Sequence, residues 1–351
     1  MAYQGIIAKY KELIDLPENA VPVSLCEGNT PLIPVPKISE SLGGDFTLYI
    51  KYEGLNPTGS FKDRGMTAAI TEAKSRGAKT TICASTGNTA AAAAAYSARA
   101  GMRAIVIIPA GKVAAGKLAG AIAYGADVIQ IDGSFDDALS LVVQISEKHP
   151  IALVNSLNPY RLQGQKSAAF EICDTLDGTP DWLALPVGNA GNITAYWMGF
   201  KQYHQKIGTA LPRLLGVQAA GAAPLVLGHP VENPETIATA IRIGKPARGE
   251  EAVTAANESG GRIISATDDE ILAAQQMLAD SGIWVEPASA AGIAGLKKMI
   301  ENGSYDLHKK MVVCVCTGHG LKDPNIITDQ FSTPRILAAE LAALEREILN
   351  G

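Results

Sequence analysis

The sequence runs to 351 residues, with 30 Lys and Arg against 35 Asp and Glu for a net charge of −5, a length that suggests two domains or one large one. So mildly acidic a chain has no general attraction for nucleic acid or an anionic membrane surface. Its 47% apolar and 19% charged residues allow a sizeable core and argue against disorder.

The opening MAYQGIIAKYKELIDL mixes apolar and charged residues, so no signal peptide is expected, and no window approaches the roughly 20 apolar residues of a membrane span. Strand-like runs then fall at 47–54, 80–85, 103–110, 127–133, 151–156, 182–188, 214–221, 283–287 and 311–318. Helical patterns lie between them at 62–75, 89–100, 114–124, 135–148, 161–176, 192–206, 268–281 and 287–301. Apolar runs without alternation predict strands buried on both faces, hence parallel sheet, and the strand–helix alternation predicts an α/β fold with helices on both sides. The segment 222–262 clusters Pro, Gly and charge; it reads as an interface or lid, or more simply as a surface connection with one short helix. Thr267 and Glu270 have capping-box spacing, so the acidic run Asp268–Glu270 reads as a helix start rather than a catalytic pair. Cys26, Cys83, Cys173, Cys314 and Cys316 make no CxxC pair, which suits reduced thiols in a cytoplasmic protein. The five histidines stand apart from one another and from the cysteines, so no metal site is expected.

Three turns follow strands and precede helices: Ser85-Thr86-Gly87-Asn88-Thr89, Gly188-Asn189-Ala190-Gly191-Asn192 and Thr317-Gly318-His319-Gly320. Free backbone N–H groups and the helix dipole favour anions at such places, and carboxyl ends of parallel strands are where these sheets bind ligands. The alanines at 90–95 have high helix propensity and also let a helix approach a sheet closely. Gly111 to Leu118 matches GxxxxGK, but Leu118 stands where a Ser or Thr would hold Mg²⁺, so no nucleoside triphosphate site is expected. In Asn56-Pro57-Thr58-Gly59-Ser60-Phe61-Lys62-Asp63-Arg64-Gly65, turn chemistry precedes a helix whose first turn holds Lys62. The positive end of the dipole disfavours an ammonium there, and a neutral amine is what Schiff-base chemistry needs; taken alone, a solvated surface lysine is still the favoured reading.

Together these residues resemble the fold-type II enzymes of pyridoxal phosphate, the tryptophan synthase β-like group, and within it the short-form threonine synthases. The likeness spans nearly the whole chain through EGNTPL (27–32), NPTGSFKDRG (56–65), STGNT (85–89), PVGNAGN (186–192), EPASAAG (286–292) and CTGHGLKDP (316–324). It implies two open, twisted, mostly parallel sheets flanked by helices: a smaller mobile domain at 55–154 and a larger cofactor-binding domain from 1–54 and 155–351. It further implies Lys62 as the Schiff-base lysine and acid/base, Asn88 against the cofactor's 3′-oxygen, Gly188, Asn189, Ala190, Gly191 and Asn192 around its phosphate, and Thr317 against its ring nitrogen. The implied reaction turns O-phospho-L-homoserine and water into L-threonine and phosphate, in a cytoplasmic homodimer. That substrate requires a second anion site, for which Ser85, Thr86, Thr89, Asn155, Ser156 and Arg161 are the candidates, Arg161 being able to grip oxyanions bidentately. The nearest alternative is a threonine or serine dehydratase on the same fold. A sulfur transferase and a non-catalytic effector-binding module are weaker ones, because the second anion site and the retained lysine argue against them.

Overall fold

The computed structural model describes residues 2–111, 115–303, 305–328, 334 and 336–349. Among the described residues, ten strands make two sheets: β1 (Leu32–Pro34), β2 (Thr47–Tyr52), β3 (Thr80–Ala84), β4 (Arg103–Pro109), β5 (Asp127–Ile131), β6 (Ile151–Leu153), β7 (Trp182–Pro186), β8 (Arg213–Ala219), β9 (Arg262–Ala266) and β10 (Met311–Cys316). The six-stranded sheet has the order β1-β2-β10-β7-β8-β9 and is antiparallel only between β1 and β2; the four-stranded sheet, β5-β4-β3-β6, is wholly parallel.

The unbroken apolar runs have a direct cause. Along β7, Trp182 and Ala184 enter one core while Leu183 and Leu185 enter another on the opposite face. Along β10, Val312, Cys314 and Cys316 face the first core and Val313 and Val315 the second. A strand covered on both faces needs an apolar residue at every position. The alanine helix (Asn88–Ala100) buries Ala90 to Ala95, and a Cβ on Gly120 would come within 3.2 Å of Ala91 Cβ, so small residues set the spacing there.

The helices at 62–75, 135–148 and 287–301 form over those residues, and Thr267 and Glu270 make the expected capping box. Four expectations are corrected. The run 283–287 is not a strand: Val285 makes only an isolated bridge to His319, because Glu286 already caps a helix with Pro287 in its first turn. The helix expected at 161–176 breaks at Lys166 into Pro159–Gln165 and Ser167–Leu176, where the Ser167 hydroxyl donates to the Gly164 carbonyl at 2.6 Å. Strands β1 and β9 were not among the expected runs. The segment 222–262 is no plain surface connection, since it holds the helices Pro224–Leu227 and Gly249–Glu258 and buried Thr236, Ala238 and Ile241. The GxxxxGK match at 111–118 includes residues 112–114, which lie outside the described residues. Among the described residues no helix is long and apolar enough to cross a membrane.

Candidate active site

Lys62, Asp63 and Arg64 open one helix and serve three purposes. The Asp63 carboxylate accepts from the backbone N–H of Thr58 at 2.7 Å and from its hydroxyl, closing the Pro57–Ser60 turn, in which Gly59 takes the positive φ that favours glycine. Arg64, 1% exposed, donates to Glu53 (Nε to Oε2, 2.6 Å) and to Glu171 (Nη2 to Oε2, 2.6 Å), and Lys51 donates to Glu171 at 2.8 Å. Two acids and two bases thus balance in the interior and lock the helix onto β2 and the Ser167–Leu176 helix. Lys62 is left half-buried at the cleft, its Nζ 4.3 Å from the centroid of the Phe61 ring. Burial and, less strongly, the nearby Arg161 together lower its pKa to about 7, with Glu286 opposing both.

The turn before Lys62 is stitched to the third strand-end turn. Phe61 N–H donates to the Thr317 carbonyl and His319 N–H to the Gly59 carbonyl, each at 2.9 Å, and Lys322 Nζ donates to the Thr58 carbonyl at 3.1 Å. The Thr317 hydroxyl lies 3.0 Å from the Ser289 hydroxyl, which accepts from Gly318 N–H at 2.8 Å. Asn88 donates through Nδ2 to both oxygens of Glu286, which is 4% exposed and raised to about 7, chiefly by burial. Glu286 and Ser289 both stand in the EPASAAG motif, which by itself gives neither of them a role. The available signal was an acid directly before Pro at the start of a small-residue helix.

The second turn opens the 17-residue helix Gly191–Ile207, with Ala190 at φ 66°. Gly188 is packed so closely that a Cβ would lie 3.0 Å from Ile241 Cα. Beside it, the buried Asn192 Nδ2 and Gln165 Oε1 have no hydrogen-bond partner among the described residues. A helix N-terminus with buried unspent polar atoms is suited to an anion. The Asn189 side chain accepts from Ala247 N–H at 3.4 Å.

The remaining candidates gather at the ends of β3 and β6. Asn155 spends both polar ends on Ala84, accepting from its N–H at 3.0 Å and donating to its carbonyl at 2.9 Å, so it chiefly ties the two strand ends together. Ser85, Thr86, Thr89 and Ser156 are half-buried around it. Arg161 is 3% exposed, yet its only hydrogen bond among the described residues runs from Nη1 to the Val154 carbonyl at 3.4 Å, and its Nε has no partner. Burial and the neighbouring Arg248 lower its pKa to about 10. A buried guanidinium with no carboxylate partner is costly unless an anion joins it. His319, by contrast, stacks on Tyr52 and accepts from Leu321 N–H, so it serves the fold. The site therefore offers a neutralisable amine near Arg161 and two anion-receptive groups of residues, one at Gly188–Asn192 and one at Arg161.

Comparison with known proteins identifies relatives of this arrangement. The sequence profile of the family described as "Pyridoxal-phosphate dependent enzyme" matches residues 23–318. A threonine synthase of Halalkalibacterium halodurans is 59% identical over 351 residues, spanning 99% of this chain and 98% of that protein. One from Methanocaldococcus jannaschii is 50% identical, spanning 96% and 86%. Among solved structures, the processed threonine deaminase isoform 2 of Solanum lycopersicum superposes with a TM-score of 0.73 at 25% identity, covering 86% of this chain and 82% of that one. Maize serine racemase gives 0.75 at 20% identity, covering 93% and 97%; such likenesses place the fold among the fold-type II enzymes.

Proposed function

The chain belongs to the pyridoxal-phosphate-dependent enzymes, and from that premise we propose that it acts as a threonine synthase, converting O-phospho-L-homoserine and water to L-threonine and phosphate as the last step of threonine biosynthesis. The observation that carries this reading is Arg161, a buried guanidinium without a carboxylate partner among the described residues, placed near Lys62. A dehydratase acting on a free hydroxyl amino acid needs an anion site for the substrate carboxylate, but none for a phosphate ester.

The residues fit the cofactor. The Gly188–Asn192 loop offers backbone N–H groups at a helix start and the unspent Asn192 amide, which would hold its phosphate; Asn88 would meet its 3′-oxygen, and the Thr317 hydroxyl, fixed by Ser289, would meet its ring nitrogen. When bound, pyridoxal phosphate supplies an electron sink for carbanion chemistry at an amino acid. Lys62, neutral in a good fraction near pH 7, is the group that attaches the cofactor, takes the proton from the substrate Cα and later moves one at Cβ. A threonine hydroxyl does not protonate the ring nitrogen as a carboxylate partner would, which suits elimination and replacement over transamination. Arg161, with Ser85, Thr86, Thr89 and Ser156, holds the substrate phosphate and keeps the leaving group oriented, while Asn155 ties together the strand ends that carry them.

The smaller unit, 55–154, closes over bound substrate and excludes water. The Lys62 helix is held back from that movement by Arg64, because Glu53 and Glu171 lie outside the unit. A cytoplasmic homodimer completes the reading. Arg161→Met tests it: the variant should keep the visible absorbance of bound cofactor and lose phosphate release from O-phospho-L-homoserine. Full release by the variant would sink the reading.

A further inference from the structure

We propose that Arg248 determines specificity at the substrate-phosphate site, clamping the Ser156–Leu157 turn against the cofactor-phosphate loop and adding a second guanidinium beside Arg161. This rests on the threonine synthase reading above.

Arg248 precedes the Gly249–Glu258 helix, in the segment that sequence reading left as a surface connection. Its Nε donates to the Ser156 carbonyl at 3.3 Å and its Nη2 to the Leu157 carbonyl at 3.4 Å. Its stem runs along the start of the Gly191–Ile207 helix, where a Cβ on Gly191 would lie 3.9 Å from Arg248 Cδ. The neighbouring Ala247 N–H reaches the Asn189 side chain of the same loop. One two-residue stretch therefore bridges the turn that carries Ser156 and the loop read as holding the cofactor's phosphate.

Charge supports the same assignment. Arg248 meets one carboxylate, Glu251, at 3.1 Å, and that group is largely exposed. Arg161, buried with an unpartnered Nε, has none among the described residues, and Arg248 is near enough to lower its pKa. Two neighbouring guanidinium groups that repel each other are relieved by a dianion beside them, and a phosphate monoester is the chemical class that supplies two negative charges on one group. A substrate with a free hydroxyl in place of the phosphate brings only the single charge of its carboxylate.

The test uses the cofactor-loaded enzyme and two variants, Arg248→Gln, which removes the charge, and Arg248→Lys, which keeps it but loses the planar fork. KM and kcat for O-phospho-L-homoserine are measured, and inorganic phosphate binding is read by calorimetry. Arg248→Gln is expected to raise KM and weaken phosphate binding about tenfold with kcat changed less than about threefold, and Arg248→Lys to recover part of both. Unchanged KM and phosphate affinity in Arg248→Gln, with the visible absorbance of bound cofactor intact, overturn the inference. If Arg248→Gln does not fold, unchanged values in Arg248→Lys overturn it equally. Weakened phosphate binding in a protein whose wild type leaves O-phospho-L-homoserine untouched would remove the substrate reading and leave the anion clamp standing.

Discussion

The side-chain amide of Asn88 donates to both carboxyl oxygens of Glu286, at 3.0 and 3.1 Å. One residue follows a strand of the four-stranded sheet and the other caps a helix packed on the six-stranded sheet. The contact therefore fixes the orientation of Asn88 from across the cleft. It also places a carboxyl raised to about 7 near an amine lowered to about 7. Near neutral pH, Glu286 can hold a proton while Lys62 is left neutral, which is the state an attacking amine needs.

Glu286→Gln should reveal that arrangement through stability. The Glu286 pKa is raised from 4.5 to about 7, so its contribution to folding is complete below 4.5 and is lost as pH rises to about 7. The lowered Lys62 runs the other way: its contribution is present above 10.5 and lost as pH falls toward 7. Between pH 4.5 and 7, the wild type should therefore lose about 3 kcal/mol relative to Glu286→Gln. Urea denaturation of the cofactor-free proteins across that range measures it; parallel curves would contradict the assignment.

Arg64→Ala removes the cation that Glu53 and Glu171 share. Breaking a buried pair by deleting one partner costs about 3–5 kcal/mol. In the wild type both carboxylates are held below their usual range by Arg64 and Lys51. Without Arg64 their pKa values should rise, so the defect should be largest at neutral pH and shrink on acidification, as denaturation at pH 7 and pH 5 would show. A defect independent of pH would mean lost packing alone.

Gly164→Ala tests the crossing that places Arg161 beside the Lys62 helix. A Cβ at Gly164 would lie 1.7 Å from the Arg64 carbonyl oxygen, and one on Gly65 3.0 Å from the Arg161 carbonyl oxygen. Backbone against backbone leaves no flexible side chain to yield, so the helices must part. We expect a loss of more than about 2 kcal/mol in stability. Wild-type stability for the variant would show that the crossing is looser than described.

Much of this architecture was legible in the residues. Strands β3, β7 and β10 declared themselves because burial on both faces leaves no room for polar alternation, and the Lys62 helix because turn chemistry precedes it. The strands β1 and β9 did not: the first is three residues ending in Pro34, and the second opens on Arg262 with only its last residue fully buried. Glu286 was hidden because 283–287 reads as a strand, whereas it stands at the cap of the helix Pro287–Glu301. Arg248 was hidden because Pro, Gly and charge read as surface. Its segment is drawn inward by a contact distant in sequence, Ile241 against Gly188.

The central claim is tested most directly by incubating the cofactor-loaded enzyme with O-phospho-L-homoserine and quantifying phosphate, threonine and 2-oxobutyrate together, in wild type and in Lys62→Ala. The account predicts threonine and phosphate in equal amounts from the wild type and neither from Lys62→Ala. Production of 2-oxobutyrate from threonine, with O-phospho-L-homoserine left untouched, would contradict it and make the enzyme a dehydratase.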